Sequence, residues 1–326
     1  MQDAPTPTIS AVVAAYQAEQ WIGEALESIL GQTRPPDEVV VVDDGSTDGT
    51  ARELERFGDR IRVVRRPNGG CPAAFNTAFA HARGDFLAMC GADDIWEPHK
   101  LEWQLEALAA NPEADVLFGH ATIVGRVQDE HARPPGRGML DSTAFKQALF
   151  MQNCVCAPSV LIRRSLFERL GPFVEDFGAD DYEYWLRCLR AGARFYYDPR
   201  PLMRWRLHGS NLSGKQAWMD ECSLQVRRWY EADIEDRGVV SRALAPVLFR
   251  VARRLVDDGH PREARRIFRE ALRHARGETP TANARALLWV IILSLPAGTR
   301  ERVGRISVAC SRAIDNLLGI RQPMLP

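Results

Sequence analysis

The chain has 326 residues, 45% of them hydrophobic and 26% charged, with a formal net charge of −1. That is enough for one sizeable α/β domain and a smaller appendage, and the composition excludes a disordered or fibrous chain. The longest apolar run, Ala286–Leu295, stops at Pro296, about half of what a bilayer crossing needs, and is expected to be a buried or interfacial helix.

Ile9–Ala15 reads as a first apolar strand. Ala18–Gly31 places Trp21, Ala25 and Ile29 on one stripe beside Ile22, Leu26 and Leu30, an amphipathic helix closed by Gly31. Strand Glu38–Val42, a helix from about Thr50 to Phe57 and strand Ile61–Arg65 follow. Next come helix Pro72–Ala82, strand Asp85–Met89, a helix from Pro98 in its first turn to Ala110, and strand Asp115–Phe118. This alternation predicts an α/β fold with a largely parallel, doubly wound sheet. Beyond it the chain is irregular: Arg133–Gly138 is turn-rich, and helical pieces return at Ser142–Phe150, Ser165–Leu170 and Asp180–Arg190. After about Gln216 the pattern is helical, with breaks at Gly259–Pro261 and Gly277–Pro280. The expected domains are residues 1–230, with two halves meeting near 120, and an arginine-rich helical region, 231–326. From Arg242 onward sixteen arginines and no lysine stand against seven acids, a net of about +9 that leaves the preceding part near −10. Such a tail suits a solvated helical cap or contact with phosphates or anionic lipid.

Seven scattered cysteines and a short, polar Met1–Pro7 point to reduced thiols in a cytoplasmic protein. Cys154 and Cys156 form a lone CxC with no second pair at zinc-ligand spacing. Nucleic-acid binding is not expected, since the basic residues follow helical spacing without interleaved aromatic platforms.

Two acidic clusters each follow an apolar run. Val39–Val42 leads to Asp43-Asp44-Gly45-Ser46-Thr47-Asp48, and Phe86–Cys90 leads to Gly91-Ala92-Asp93-Asp94. Each reads as a parallel strand delivering carboxylates to its carboxyl end, the edge where open α/β sheets bind ligands. Adjacent carboxylates repel, so the arrangement suits a cation or a set of donors. Ser46 and Asp48 also suit helix capping. The residue two after Asp43 is Gly45, which excludes the paired aspartates of a haloacid-type phosphatase.

In order and spacing these residues resemble the family 2 glycosyltransferases, inverting nucleotide-sugar enzymes with the GT-A fold, from about Thr8 to Trp229. The resemblance rests on Val12–Tyr16, Ala25–Thr33, Val40–Thr50, Asn68-Gly69-Gly70, Asn76, Gly84-Asp85, Ala92–Asp94, Asp180–Gly192 and Arg206–Ser213. It implies a mixed, mostly parallel GT-A-like sheet with a C-terminal helical extension. Tyr16 is then expected against the nucleotide base, Asp44 on the pyrimidine imide with Asp43 supporting the loop, Asn68 near the donor, and Asp93 on the ribose or sugar. Asp94 is expected to ligate Mn2+ or Mg2+, with His208 as a further metal or phosphate contact. Asp181, with Asp180 close behind, falls where the family keeps its base. Gln225–Trp229 matches the Gln-x-x-Arg-Trp signature of processive synthases and makes Arg228 and Trp229 acceptor-binding candidates; an amphipathic helix with Trp229 packed inward is the other reading. Lacking membrane spans, the chain is expected to transfer one sugar per encounter.

Two positions depart from the family pattern: Gly91, where many members carry another aspartate, and Phe75, where an arginine is common. The resemblance implies transfer from a UDP- or dTDP-sugar to a hydroxyl of a glycan or lipid-linked acceptor. The enzyme would be cytoplasmic, with peripheral membrane contact through the basic C-terminal helices and Trp289. Two other classes were weighed. A sugar-nucleotide nucleotidyltransferase would open with a glycine-rich basic loop, which Ala14–Gln17 is not. A non-catalytic nucleotide-sugar binder would tolerate loss of Asp180 and Asp181, and both are present.

Overall fold

Val39–Val42 are all buried. A strand apolar on both faces must lie inside a sheet covered on both sides, which is how parallel sheets are built. The computed structural model of the chain describes residues 6–124, 132–175, 177–209, 211 and 214–275. In chain order the elements are β1 (Ile9–Ala15), α1 (Ile22–Leu30), β2 (Glu38–Asp43), α2 (Thr50–Glu55), β3 (Arg62–Arg65), α3 (Cys71–His81) and β4 (Phe86–Gly91). They continue as β5 (Ile95–Trp96), α4 (Lys100–Ala110), β6 (Val116–Ile123), β7 (Gly138–Met139), α5 (Ser142–Met151), β8 (Leu161–Arg163), α6 (Arg164–Leu170) and α7 (Asp180–Arg190). The last are β9 (Phe195–Trp205), α8 (Gln216–Tyr230), α9 (Arg237–Asp257) and α10 (Pro261–Ala275).

The strands form one mixed sheet in the order β3-β2-β1-β4-β8-β6-β9-β5, with β7 on β9. β3, β2, β1 and β4 run parallel, as do β6 and β9, while the short β8 is antiparallel to both β4 and β6. The long ladders are therefore the parallel ones. The chain winds from β1 outward through β2 to β3, then returns to the other side of β1 as β4. That reversal is the switch point at which open α/β sheets leave a crevice. Ile22, Leu26 and Ile29 of α1 pack with Ala11, Val13, Val39 and Val41 in the core. The Gln32 side chain ties α1 to the start of α4, donating to Glu97 O (2.7 Å) and accepting from Leu101 N (3.1 Å).

Some boundaries differ from the sequence expectation. The fourth helix begins at Lys100, because residues 97–99 form a turn tied to β9 and to the loop after α1: Glu97 N donates to Leu202 O and Pro98 O accepts from Thr33 N, both at 2.9 Å. The turn-rich stretch near Gly138 supplies β7, and β8 and β9 were not expected. Of the loop taken as Arg126–Gly138, residues 126–131 lie outside the described residues, as do the break at Gly277–Pro280, the run Ala286–Leu295 with Trp289, and Cys310. The six cysteines among the described residues are free thiols, and no described helix is long and apolar enough to cross a membrane.

The chain divides into two compact units, Met1–Val226 and Arg227–Pro326. The second is built on the hairpin of α9 and α10. Val240, Leu244 and Leu248 on one helix and Ala264, Phe268 and Ala271 on the other are buried, and Phe249 meets Phe268 edge-on at 5.3 Å.

Candidate active site

Three chain segments bring carboxylates to the carboxyl edge of the parallel strands. The first is the end of β2. Asp43 accepts from Ser46 N (3.0 Å) and faces the Arg65 guanidinium at 3.7 Å. Asp44, 3% exposed, accepts from Gly69 N (3.1 Å) and Gly70 N (2.8 Å) and pairs with Arg66 at 3.2 Å. Its carboxylate thus fixes the Asn68–Gly70 turn while lining a cavity of about 500 Å³. Across this cavity the chain leaves β1 through Tyr16, 53% exposed, and Gln17, whose φ of +50° is rare for a residue with a side chain. Gln17 earns that conformation: its Oε1 accepts from Thr47 N (2.7 Å) and Asp48 N (3.2 Å), and its own N–H donates to Ser46 Oγ (3.1 Å).

The second segment follows β4. Asp94 turns back through its N–H to Gly91 O (3.2 Å); it is 3% exposed, and its Oδ1 has no hydrogen-bond partner. Burial, then the charge of Asp93, push its carboxyl well above the usual range. A Cβ on Gly91 would lie 2.7 Å from Asp94 Oδ2 and 2.8 Å from Asp93 Oδ1. The glycine therefore leaves a space on which both carboxylates close, and a larger residue at this position would require them to turn aside. Asp93 Oδ2 lies 2.9 Å from His208 Nε2 and accepts from Asn211 Nδ2 (3.1 Å), while Arg206 Nε donates to Asp93 O (3.2 Å). The His208 ring stacks on Trp21 (5.4 Å between centroids, 16° between planes), and the Arg206 guanidinium lies 4.6 Å from the Trp21 ring centroid. These contacts fasten the chain after β9 to α1, beside the cavity.

Two carboxylates on one space, one carrying an unpartnered buried oxygen, fit a hard divalent cation that takes its other ligands from phosphate and water. Among the described residues no third His, Cys, Asp or Glu completes an all-protein metal cluster.

The third segment is the start of α7. Asp181 accepts from Asn153 Nδ2 (3.0 Å) and Tyr182 N (2.7 Å). Asp180 lines a second cavity of about 380 Å³, which shares Asn68, Gly70 and Cys71 with the first. Burial, then the Asp181 charge, push the Asp180 carboxyl up to about 8, and burial raises that of Asp181. The approach to this pair is held by Asn76 of α3, which donates to Phe173 O (3.0 Å) and accepts from Phe173 N (2.8 Å).

Cys71, where the cavities meet, reports how the three segments converge. Burial and then the charges of Asp180, Asp181, Asp93 and Asp44 push its thiol well up. Arg228 and Trp229 belong to the second unit. There Arg228 makes a bidentate pair with Glu270 (2.8 and 3.0 Å), and Trp229 is 44% exposed.

Sequence reasoning passed over Gln17, Trp21, Asn153, Asn211 and Lys215. Lys215, one of three lysines in an arginine-rich chain, lines the first cavity. A usable signal existed for Asn211, which lies inside the recognised piece Arg206–Ser213, and for Gln17 and Lys215, which lie close to recognised pieces.

Residues 10–171 match the family model described as Glycosyl transferase family 2. Glycosyltransferase RP339 of Rickettsia prowazekii, itself uncharacterized, is 27% identical over 216 residues, 64% of this chain and 67% of that protein. TuaG of Bacillus subtilis, named for teichuronic acid biosynthesis, is 28% identical over 216 residues, 64% of this chain and 83% of that protein. The chain spans as little as 32% of another Rickettsia relative. Among solved structures, S. aureus TarS 1–349 in complex with UDP-GlcNAc superposes with a TM-score of 0.66 at 17% identity, covering 94% of this chain and 92% of that one. The mannosyltransferase PcManGT of Pyrobaculum calidifontis, in complex with GDP-Man and Mn2+, gives 0.56 at 22% identity, covering 96% and 88%. Both show the GT-A-like fold.

Proposed function

We propose that this chain, which belongs to glycosyl transferase family 2, moves a single sugar with inversion from a UDP- or dTDP-sugar to a hydroxyl of a glycan or lipid-linked acceptor. The observation that supports the reading is that Asp44 and Asp93 line one cavity and Asp180 a second, the two sharing Asn68, Gly70 and Cys71. One cavity suits a donor, the other an acceptor. The neighbours' UDP-GlcNAc and GDP-Man support the donor class, and the name of TuaG supports an acceptor of the cell envelope.

In the donor cavity Tyr16 offers its exposed ring to the base, and Asp44, with Asp43 behind it, shapes the wall that meets the base edge. Asn68 and Asp93 face the ribose and sugar, and Lys215 offers positive charge to the diphosphate. A divalent cation, Mn2+ or Mg2+, held by Asp94 and Asp93 with His208 orienting Asp93, would neutralise charge on the departing diphosphate. The acceptor oxygen attacks the anomeric carbon from the face opposite the diphosphate. As the new C–O bond forms, the bond to the diphosphate breaks, and the hydroxyl proton passes to a carboxylate of the α7 pair. Asp180 lines the acceptor cavity whereas Asp181 is held by Asn153, so we assign the base to Asp180, reversing the order expected from sequence. With its pKa raised to about 8, it accepts the proton in its ionised form, whose share grows as pH rises toward that value.

Peripheral membrane contact would use a basic face of the second unit. Arg262, Arg266, Arg269 and Arg273 are exposed on α10, opposite its buried Ala264, Ile267 and Phe268.

A thermal-shift panel of UDP, dTDP and GDP, with and without Mn2+, tests the reading. A uridine or thymidine diphosphate that raises the melting point in a metal-dependent way supports it. Equal, metal-independent responses to every nucleotide, with no nucleoside diphosphate released from any nucleotide-sugar, would refute it.

A further inference from the structure

The second cavity has one flat aromatic wall. Trp218, on the first turn of α8, is 37% exposed and lines this cavity with Phe177, Gly178 and Asp180. Its ring lies directly on the backbone before α7: a Cβ on Gly178 would sit 2.4 Å from both Cζ3 and Cη2 of the indole. Only glycine admits that approach. The contact fixes the indole next to the turn that delivers Asp180, so an exposed aromatic face and the Asp180 carboxyl share one small chamber. Its volume of about 380 Å³ lies at the lower end of the range for ligand pockets and suits one or two sugar rings. The described residues lining it include no lysine or arginine, and their acidic groups are the Asp180 carboxyl and the Cys71 thiol. A phosphorylated acceptor would find no counter-charge here, whereas the C–H face of a pyranose lies well on an indole.

We propose that this cavity seats the acceptor as an uncharged pyranose laid on Trp218, with its reactive hydroxyl turned toward Asp180. The proposal rests on the function stated above and narrows its acceptor to a cyclic sugar. It also places the stacking surface at a tryptophan outside the Gln225–Trp229 motif that the sequence offered for that role.

The test uses the full chain and measures nucleoside diphosphate release from its donor, with methyl hexopyranosides or open-chain polyol phosphates as acceptor probes. The pyranosides are expected to stimulate release and the polyol phosphates not to. Trp218→Leu should raise the pyranoside KM about tenfold, the size of one stacking contact, while donor KM stays within about twofold. Trp218→Phe should restore most of the loss. If Trp218→Leu does not fold, Gly178→Ala displaces the indole instead and should raise the same KM. An unchanged pyranoside KM in the folded Trp218→Leu or Gly178→Ala chain overturns the proposal. So does preference for polyol phosphates, a larger KM effect from Trp229→Leu, or failure of every pyranoside to stimulate release. If the wild-type chain releases nucleoside diphosphate from no donor at all, the underlying function falls and this inference with it. Donor cleavage with an unaltered pyranoside KM removes only the Trp218 assignment.

Discussion

Replacing Asp180 with asparagine is expected to abolish transfer and to make the protein more stable. The native carboxyl titrates near 8 because burial and Asp181 disfavour its charge, whereas in the unfolded chain it titrates at about 3.9. Between those values the native state holds a proton that the unfolded state has released. Stability is therefore fully present below about pH 4 and is lost progressively as pH rises to about 8. A shift of about four units sets a ceiling of roughly 5 kcal/mol on that loss. Asp180 is partly exposed and opens on a cavity, so solvent screening cuts the expected value to about 1–2 kcal/mol. Asparagine keeps the shape and never ionises, so it escapes the loss. The melting temperature of Asp180→Asn should match the wild type at pH 4, pull ahead as pH rises, and lead by about 2–6 °C at pH 8.5. Loss of the proton acceptor should lower the turnover number by about 10²–10⁴-fold without raising donor KM. Calorimetric scans across pH 4–9 paired with donor turnover check both limbs. A variant that melts with the wild type at pH 8.5 and still transfers sugar refutes the assignment of both the strained carboxyl and the base.

Three further outcomes follow from the same geometry. Transfer by the wild-type chain should rise with pH to a plateau above about 8, the apparent value belonging to the Asp180–Asp181 pair; a pH–rate profile flat from 6 to 9 contradicts this. Lys100 is fully buried, with its ammonium 4.1 Å from the Trp96 ring centroid and bonded to Gln104 Oε1 at 2.9 Å, and burial lowers it to about 7. A lowered lysine costs stability as pH falls through its folded value, so Lys100→Met should gain about 1–3 kcal/mol at pH 6, the gap closing toward pH 10 in urea melts. Exchanging Arg262, Arg266 and Arg269 for glutamate should weaken binding to vesicles containing anionic lipid, read by sedimentation, by about a hundredfold or more and leave donor turnover intact, since each charge near such a surface contributes about 1 kcal/mol.

How much of this was legible in the sequence depended on which force wrote each element. Strands buried on both faces, such as Val39–Val42, and the striped α1 announce themselves through apolar content alone. The strand Phe195–Trp205 did not, because Asp198, Pro199, Arg200 and Pro201 interrupt it. The ladder with β6 accommodates them by shifting register on both sides of His120, which pairs with Pro201, and prolines are tolerated in strands at such irregularities. β8 has three residues and owes its place to neighbours on either side rather than to its own pattern. The site divides the same way. Asp43, Asp44, Asp93 and Asp94 sit at the ends of legible strands, so their edge could be named in advance. Their partners could not: the pairing of Asp93 with His208 spans 115 positions and that of Asn76 with Phe173 spans 97. Contacts of that range leave no local period and arise only once β5 has paired with β9 and α3 has met the segment after α6. The consequence is sharpest at Asp44. The sequence singled it out as a ligand contact, yet the folded chain commits both its oxygens to the Gly69–Gly70 turn. A carboxylate already saturated by amides shapes a nucleotide site more than it binds in it, and removing it should loosen the turn before it changes which base is preferred.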